Sequence, residues 1–319
     1  MQFAFDAYVT AALIVSGQAA FALGDGTVRF EDGHSVQAHD GAILAAAAHP
    51  SGEGVVTGGD DGRLVWTRGS GPTELAKVPG RWIEAVAAAP DSGLIAFAAG
   101  REARVIDTAD PAFSRVFTHE KSVADLAFDP RGRRLAAATY GGAALWYARI
   151  AEQKPVMLRW AGSHVGLVFS PDGKFLISAM QENALHGWRL TDAKDMRMGG
   201  YPAKIKSLAF LEDGLWLATA GAAGVVLWPF QGANGPMGKQ ATEIGFDESA
   251  LVVRVAGEGT HLAAGLDDGR VWTAELKSQK LEPIKADKGP PITALTVGAS
   301  RVAWGDEEGA AGVDDLPGL

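Results

Sequence analysis

Short apolar runs and polar turns alternate along this chain on one plan, repeated from end to end. An apolar-alternating run leads into a turn containing Pro, Asp or Gly. A second run of small and apolar residues follows, then a tight Gly/Asp turn, then a short run that usually ends in Trp. Six segments keep this plan closely, beginning at Ile43, Ile83, Val123, His164, Ile205 and Ala250. Two weaker copies begin at Val9 and Ile292, each with a shortened first turn, Ser16-Gly17-Gln18 and Gly298-Ala299-Ser300. The copy count is eight.

The runs have strand length and are bounded by turn-forming residues. Ala-rich stretches such as Ile43–Ala48 would also suit a helix. A turn signal arrives too often for that, leaving no room for a helix of useful length. Gly-rich turns such as Asp60-Asp61-Gly62, Gly141-Gly142 and Asp267-Asp268-Gly269 supply the positive φ of tight hairpins. A fourth, more polar run follows the Trp in several copies, at 74–78, 114–117, 156–160 and 281–285, as suits an outer strand. The turn prolines Pro50, Pro90, Pro130 and Pro171 lie 40, 40 and 41 residues apart, at the edge of the ~40–45 residues of one propeller blade. The pattern predicts an all-β propeller of four-stranded antiparallel blades, a single domain over residues 1–319. Eight blades are favoured, with seven as the alternative if one terminal copy stands outside the ring. The last copy has no room for a fourth run. Residues 1–6, which have no repeat of their own, are expected to supply that outer strand and close the ring.

The Ser-Pro-Asp-Gly turn at 170–173, its variants at 129–132 and 211–214, and the strand-ending Trp66, Trp146, Trp188, Trp228 and Trp272 resemble the WD-repeat family. The resemblance covers nearly the whole chain. The family's Trp-Asp pair is absent: Trp66 is followed by Thr67, Trp146 by Tyr147, Trp188 by Arg189 and Trp228 by Pro229. Its Gly-His pair is represented by Ala38-His39 and Thr118-His119. The resemblance implies a His–Ser/Thr–Asp–Trp hydrogen-bond chain in one copy, through His39, Thr57, Asp60 or Asp61, and Trp66. The other copies are expected to hold together mainly by apolar packing.

Charge and composition narrow the function. A formal net charge of −9 argues against broad binding to a phosphate backbone, so no nucleic acid is expected. The chain has no Cys, which removes disulfides, thiolate metal sites and cysteine nucleophiles. No apolar run is long enough for a membrane helix. The apolar stretch from Ala7 to Val15, with Ala20-Phe21-Ala22 after it, lacks the positive flank of a signal peptide: the first 28 residues hold no Lys or Arg. A cytoplasmic location is expected. The seven histidines form no HExxH and are spread over the copies, so neither a metal nor any other cofactor is expected. No Gly-x-Ser-x-Gly or phosphate-binding loop is present. The acidic pairs Asp60/Asp61, Asp267/Asp268 and Glu307/Glu308 occupy equivalent turns, where Asp is an ordinary turn residue.

One propeller face carries both the loops entering each first strand and the Gly/Asp turns. Those segments hold Arg81, Trp82, His119, Trp160, His164, Tyr201, Lys204 and Phe246, together with Asp61 and Asp268. Aromatic and Arg residues are the usual anchors of interfaces. The reading is a non-catalytic, monomeric scaffold within a complex. It presents an acidic, partly aromatic face to a protein or peptide with a basic patch. Two alternatives are a small-ligand-binding or hydrolytic propeller using the central channel, and a periplasmic component with a processed N-terminus.

Overall fold

The computed structural model describes residues 1–246 and 249–317. Strands dominate it, and its only helical turns among the described residues are two single 3-10 turns, Pro90–Ser92 and Glu212–Gly214. Each copy folds as an antiparallel meander. In copy three, Ala85–Ala89 pairs with Leu94–Ala99, that strand with Glu102–Asp107, and that one with Ser114–Thr118. The first strand of each copy lies innermost. Around the axis, Val9–Val15 neighbours Ile43–Ala48, which neighbours Ala85–Ala89, which neighbours Asp125–Phe128; farther round, Leu208–Leu211 neighbours Val252–Glu258, which neighbours Ile292–Gly298, which returns to Val9–Val15. The chain is thus a β-propeller, a ring of four-stranded antiparallel blades.

Among the described residues the hydrogen-bonded sheets number seven, the alternative count, and they still accommodate eight sequence copies. Six sheets have four strands, and one has six. Copies four and five share the larger sheet, because Arg134–Tyr147 and Val156–Phe169 each run 14 residues without interruption. The first of these reverses at Gly141-Gly142: Ala148 N–H donates to Arg133 O at 2.9 Å, so its second half returns beside its first. Gly142 has φ +137°, and a Cβ there would sit 2.0 Å from Leu158 O. No other residue fits that crossing of backbones. Val156–Phe169 then serves as the last strand of copy four and the first of copy five. Elsewhere that passage is a loop.

Period-two alternation places small and branched residues between blades, and the apolar clusters lie between successive copies. Val56 and Leu64 of copy two pack with Ile83, Ile95 and Phe97 of copy three. Leu145 and Leu158 of copy four pack with Phe169 and Trp188 of copy five. The seam between the last copy and the first is built the same way, from Ala303 and Val313 against Val9, Phe21 and Leu23. Thr293 Oγ1 donates to Val9 O at 2.7 Å across it. Arg301 grips Glu31 with two guanidinium N–H bonds of 2.8 and 2.6 Å, which outweighs burial and lowers the Glu31 pKa. On the outer edge of the last sheet, Gln2–Ala4 pairs antiparallel with Ala310–Asp315. Phe3 and Phe5 stack on each other, and both tilt against Phe21.

Candidate functional site

Hydrogen bonds inside the blades decide which candidate residues face outward. In copy two, His39 Nδ1 lies 2.9 Å from Asp61 Oδ1 and its Nε2 lies 2.8 Å from Thr57 Oγ1. Asp61 also accepts from the N–H of Arg63 and of Asp40. Burial pushes the Asp61 carboxyl up, but these bonds win and hold it below its usual range. Asp60 takes no part in this chain. Nor does Trp66, which corrects the expected four-member network. Thr57 pairs with Val65, so the next residue, Trp66, points to the opposite side of the sheet. There it stacks on His49 at 3.9 Å and donates Nε1–H to Glu53 O at 2.7 Å. In copy six, Thr219 pairs with Val226, so Trp228 lies two positions on and returns to the Thr side.

That register difference produces a second correction: polar networks also brace copies four, five and six. Trp146 Nε1 donates to His119 Nε2 at 3.0 Å. His164 Nδ1 lies 2.7 Å from Ser178 Oγ, and Nε2 lies 3.1 Å from Trp160 O. Tyr201 takes the histidine's place in copy six, bonding Thr219 Oγ1 at 2.6 Å and receiving Trp228 Nε1–H at 2.7 Å. Tyr201 stands 18 residues before Thr219, as His39 stands 18 before Thr57. That spacing is the signal the sequence carried. His119, His164 and Tyr201 are therefore buried in their blades and not presented on the face. Burial lowers the pKa of both histidines and raises that of the Tyr201 phenol. Phe246 packs into the cluster between copies six and seven beside Trp272, and Trp188 is fully buried.

Some acids of the expected acidic face are paired within the fold. Arg270 and Lys288 pair Asp268, Arg63 lies 3.8 Å from Asp61, and Arg104 pairs Glu102. The face divides into two sectors. Over copies eight, one and two, Asp6, Asp25, Asp40, Glu307 and Glu308 are exposed and form no ion pair among the described residues. Over copies three to six, Arg81, Arg101, Lys121, Arg159, Lys204 and Lys206 are exposed and likewise unpaired. Glu84, Glu120 and Glu182 are the exposed acids among them, and Glu182 accepts the Ser163 N–H.

Exposed apolar side chains gather in the cationic sector. Trp82 is 60% exposed, Tyr140 65% and Met157 40%. Trp160 keeps one side open while its other side stacks on buried His186 at 3.9 Å. A hollow of about 350 Å³ between copies three and four is lined by His119, Tyr140, Trp146 and Met157, with Lys121 and Arg159 among its walls. Sequence reading found Arg81, Trp82, Trp160 and Lys204 here. It passed over Tyr140 and Met157, which gain exposure from the continuous strands that join copies four and five.

A model of the WD domain, G-beta repeat, matches residues 31–66, the stretch that holds His39, Thr57, Asp61 and Trp66. The β-propeller domain of Cps50 (Swd1) from Myceliophteria thermophila superposes with a TM-score of 0.67 at 14% identity, covering 85% of this chain and 95% of that one. The chain is a β-propeller with one repeat that matches the WD-repeat model. A second similar structure is the computationally designed Ika8 protein, with a TM-score of 0.80 at 17% identity over 98% of this propeller and 97% of that chain. No curated protein sequence matches this chain. WD-repeat propellers generally act as non-catalytic protein-interaction scaffolds. Among the described residues no helix is long and apolar enough to cross a membrane.

Proposed function

We propose that this propeller is a non-catalytic, cytoplasmic, monomeric scaffold within a complex. Its principal partner docks on the cationic, aromatic sector over copies three to six. The observation that carries this reading is the coincidence on one sector of six unpaired cations with exposed Trp82, Tyr140 and Trp160. Desolvating an aromatic side chain drives association, and unpaired charges around it steer the encounter and select the sign of the partner. The partner is a protein segment with acidic residues around an apolar anchor. A second reading keeps the basic partner drawn from the sequence and places it on the acidic sector, where Asp6, Asp25, Asp40, Glu307 and Glu308 are unpaired.

The two readings separate in one experiment. The tagged propeller is purified from its native cells at low salt as wild type, as Trp82→Ala/Arg101→Glu/Lys121→Glu, and as Asp40→Lys/Glu307→Lys. A stoichiometric partner released by salt, lost from the first variant and kept by the second, is the expected result. Loss from the second alone transfers the partner to the acidic sector. Equal recovery on all three baits defeats both.

A further inference from the structure

A cavity of about 550 Å³ lies among the innermost strands of copies four to seven, at the ring's central channel. Its volume falls within the ~300–1,000 Å³ of small-molecule sites. Its lining is unusual for a stretch of inner strands otherwise built from Ala, Val and Leu. Arg254, from the first strand of copy seven, reaches it with Lys204 and Lys206, which precede the first strand of copy six. Among the described residues the Arg254 side chain is held by carbonyls, through Nε to Thr293 O at 2.6 Å and Nη1 to Val253 O at 3.0 Å. None of the three cations makes an ion pair among the described residues.

The one carboxylate in the lining is Asp125, from the first strand of copy four. Its Oδ2 accepts the Leu167 N–H at 2.7 Å. Three cations and one carboxylate leave an excess of two positive charges when Asp125 is ionised. Guanidinium cannot shed its proton to relieve that excess, and a partly buried cation without a counter-charge is costly. The arrangement lacks a negative group of small size. We infer that this cavity binds a small polyanion carrying two or more phosphate or carboxylate groups, with Arg254, Lys204 and Lys206 as its counter-charges. The cavity shares Lys204 and Lys206 with the cationic sector, but the docking variant leaves both in place, since Trp82, Arg101 and Lys121 take no part in this lining, so the two readings fail separately. It also differs from a hydrolytic site: a carboxylate pair of the glycosidase kind needs a second acid, and Asp125 lines this cavity without one.

Titration calorimetry of the full chain at pH 7.5 tests it, with inorganic pyrophosphate and citrate as probes. Sodium chloride at matched ionic strength is the control. Pyrophosphate binding alone assigns a phosphate ligand, and citrate binding alone a carboxylate. Lys206→Gln, an exposed position, is expected to weaken the bound probe about tenfold, and Arg254→Gln at least as much. Asp125→Asn keeps an acceptor for Leu167 N–H and removes the opposing charge, so it is expected to tighten binding several-fold. The gain cannot come from a loss of folding. If neither probe binds more tightly than millimolar, or if binding ignores both Lys206→Gln and Asp125→Asn, the inference is overturned.

Discussion

Copy two and the junction of copies four and five show two ways of using the same repeat. Copy two spends its polar residues internally: His39, Thr57 and Asp61 bond one another, and Trp66 is covered by His49 below and by Arg68, whose guanidinium carbon lies 3.9 Å from the ring centre. Its turn glycine, Gly62, has φ +75°, and a Cβ there would meet Val78 O at 2.4 Å. In this turn Asp61 is fully engaged, and Asp60 alone stands outside the network. At the junction the entry loop is replaced by continuous strand, and Tyr140, Met157, Arg159 and Trp160 stand exposed along it. Family likeness and availability for binding run in opposite directions here. The best-matched repeat is a self-satisfied building block, and the least regular one offers side chains to solvent.

The contrast makes the seam side of the ring a matter of stability, and removing residues 1–6 gives the largest expected effect. The deletion strips the outer strand from Ala310–Asp315 and takes Phe3 and Phe5 off Phe21. Two partly buried aromatic rings and a lost edge strand amount to about 4 kcal/mol, with a newly open edge that favours association. Urea unfolding measures the first and light scattering the second. A truncated chain as stable as wild type would show that this strand does not close the ring.

The junction side is expected to differ in pH response. Burial pushes His186 down to about 4, although the Asp195 carboxylate at 3.4 Å pulls the other way. Among the described residues neither ring nitrogen of His186 has a hydrogen-bond partner. Its folded-state pKa lies below that of a free imidazole, so the unfolded chain binds the proton first. Stability is therefore full above about pH 6.5 and falls as the pH drops toward 4. The shift corresponds to about 3 kcal/mol lost over that window. His119 and His164 act in the same sense. Asp125, pushed up to about 6 by burial, acts in the opposite sense between its unfolded and folded values. The difference between wild type and His186→Leu isolates the one group. Parallel stability curves for the two proteins between pH 7 and 4 would remove His186 from the account.

On the self-satisfied side, His39→Ala is expected to cost about 2 kcal/mol at pH 7, since it leaves the buried Thr57 hydroxyl and Asp61 short of a partner. Asp61→Asn should recover less than half of that loss when added to His39→Ala, because the orphaned Thr57 remains. Chemical denaturation of the single and double variants reads both numbers. A loss of under 0.5 kcal/mol for His39→Ala would mean that the network does not brace copy two.

How far the sequence could be read follows the same divide. Strand identity, the repeat period and the entry face were legible because alternation and turn residues are local signals. The His39–Thr57–Asp61 bonds were legible because the resemblance supplies them at fixed spacing. Tyr201 was not recognised as a blade-bracing residue, since a tyrosine in an entry loop looks like an anchor until its partner, 18 residues on, is seen beside it. The facing of Trp66 was missed because a shift of one position in a strand reverses the side chain. The acidity of the face was overcounted where turns pair internally: Asp268 and Arg270 are two residues apart, and so are Glu102 and Arg104. Simple charge counting treats such neighbours as independent.

The smallest expected effect is the sharpest probe of the comparison. Trp82 is the more exposed of the two tryptophans in the cationic sector, 60% open to solvent. An exposed side chain of this kind adds little to folding, so Trp82→Ala should change stability by under about 0.5 kcal/mol. Trp66→Ala, at an equally aromatic position that is stacked and hydrogen-bonded, should cost about 3 kcal/mol. The pair is read in one set of urea titrations. If Trp82→Ala proves as costly as Trp66→Ala, Trp82 belongs to the structure of its blade. The cationic sector then loses its main anchor. If Trp82→Ala leaves stability intact, the side chain is free of a structural role and stays available as the anchor of the cationic sector.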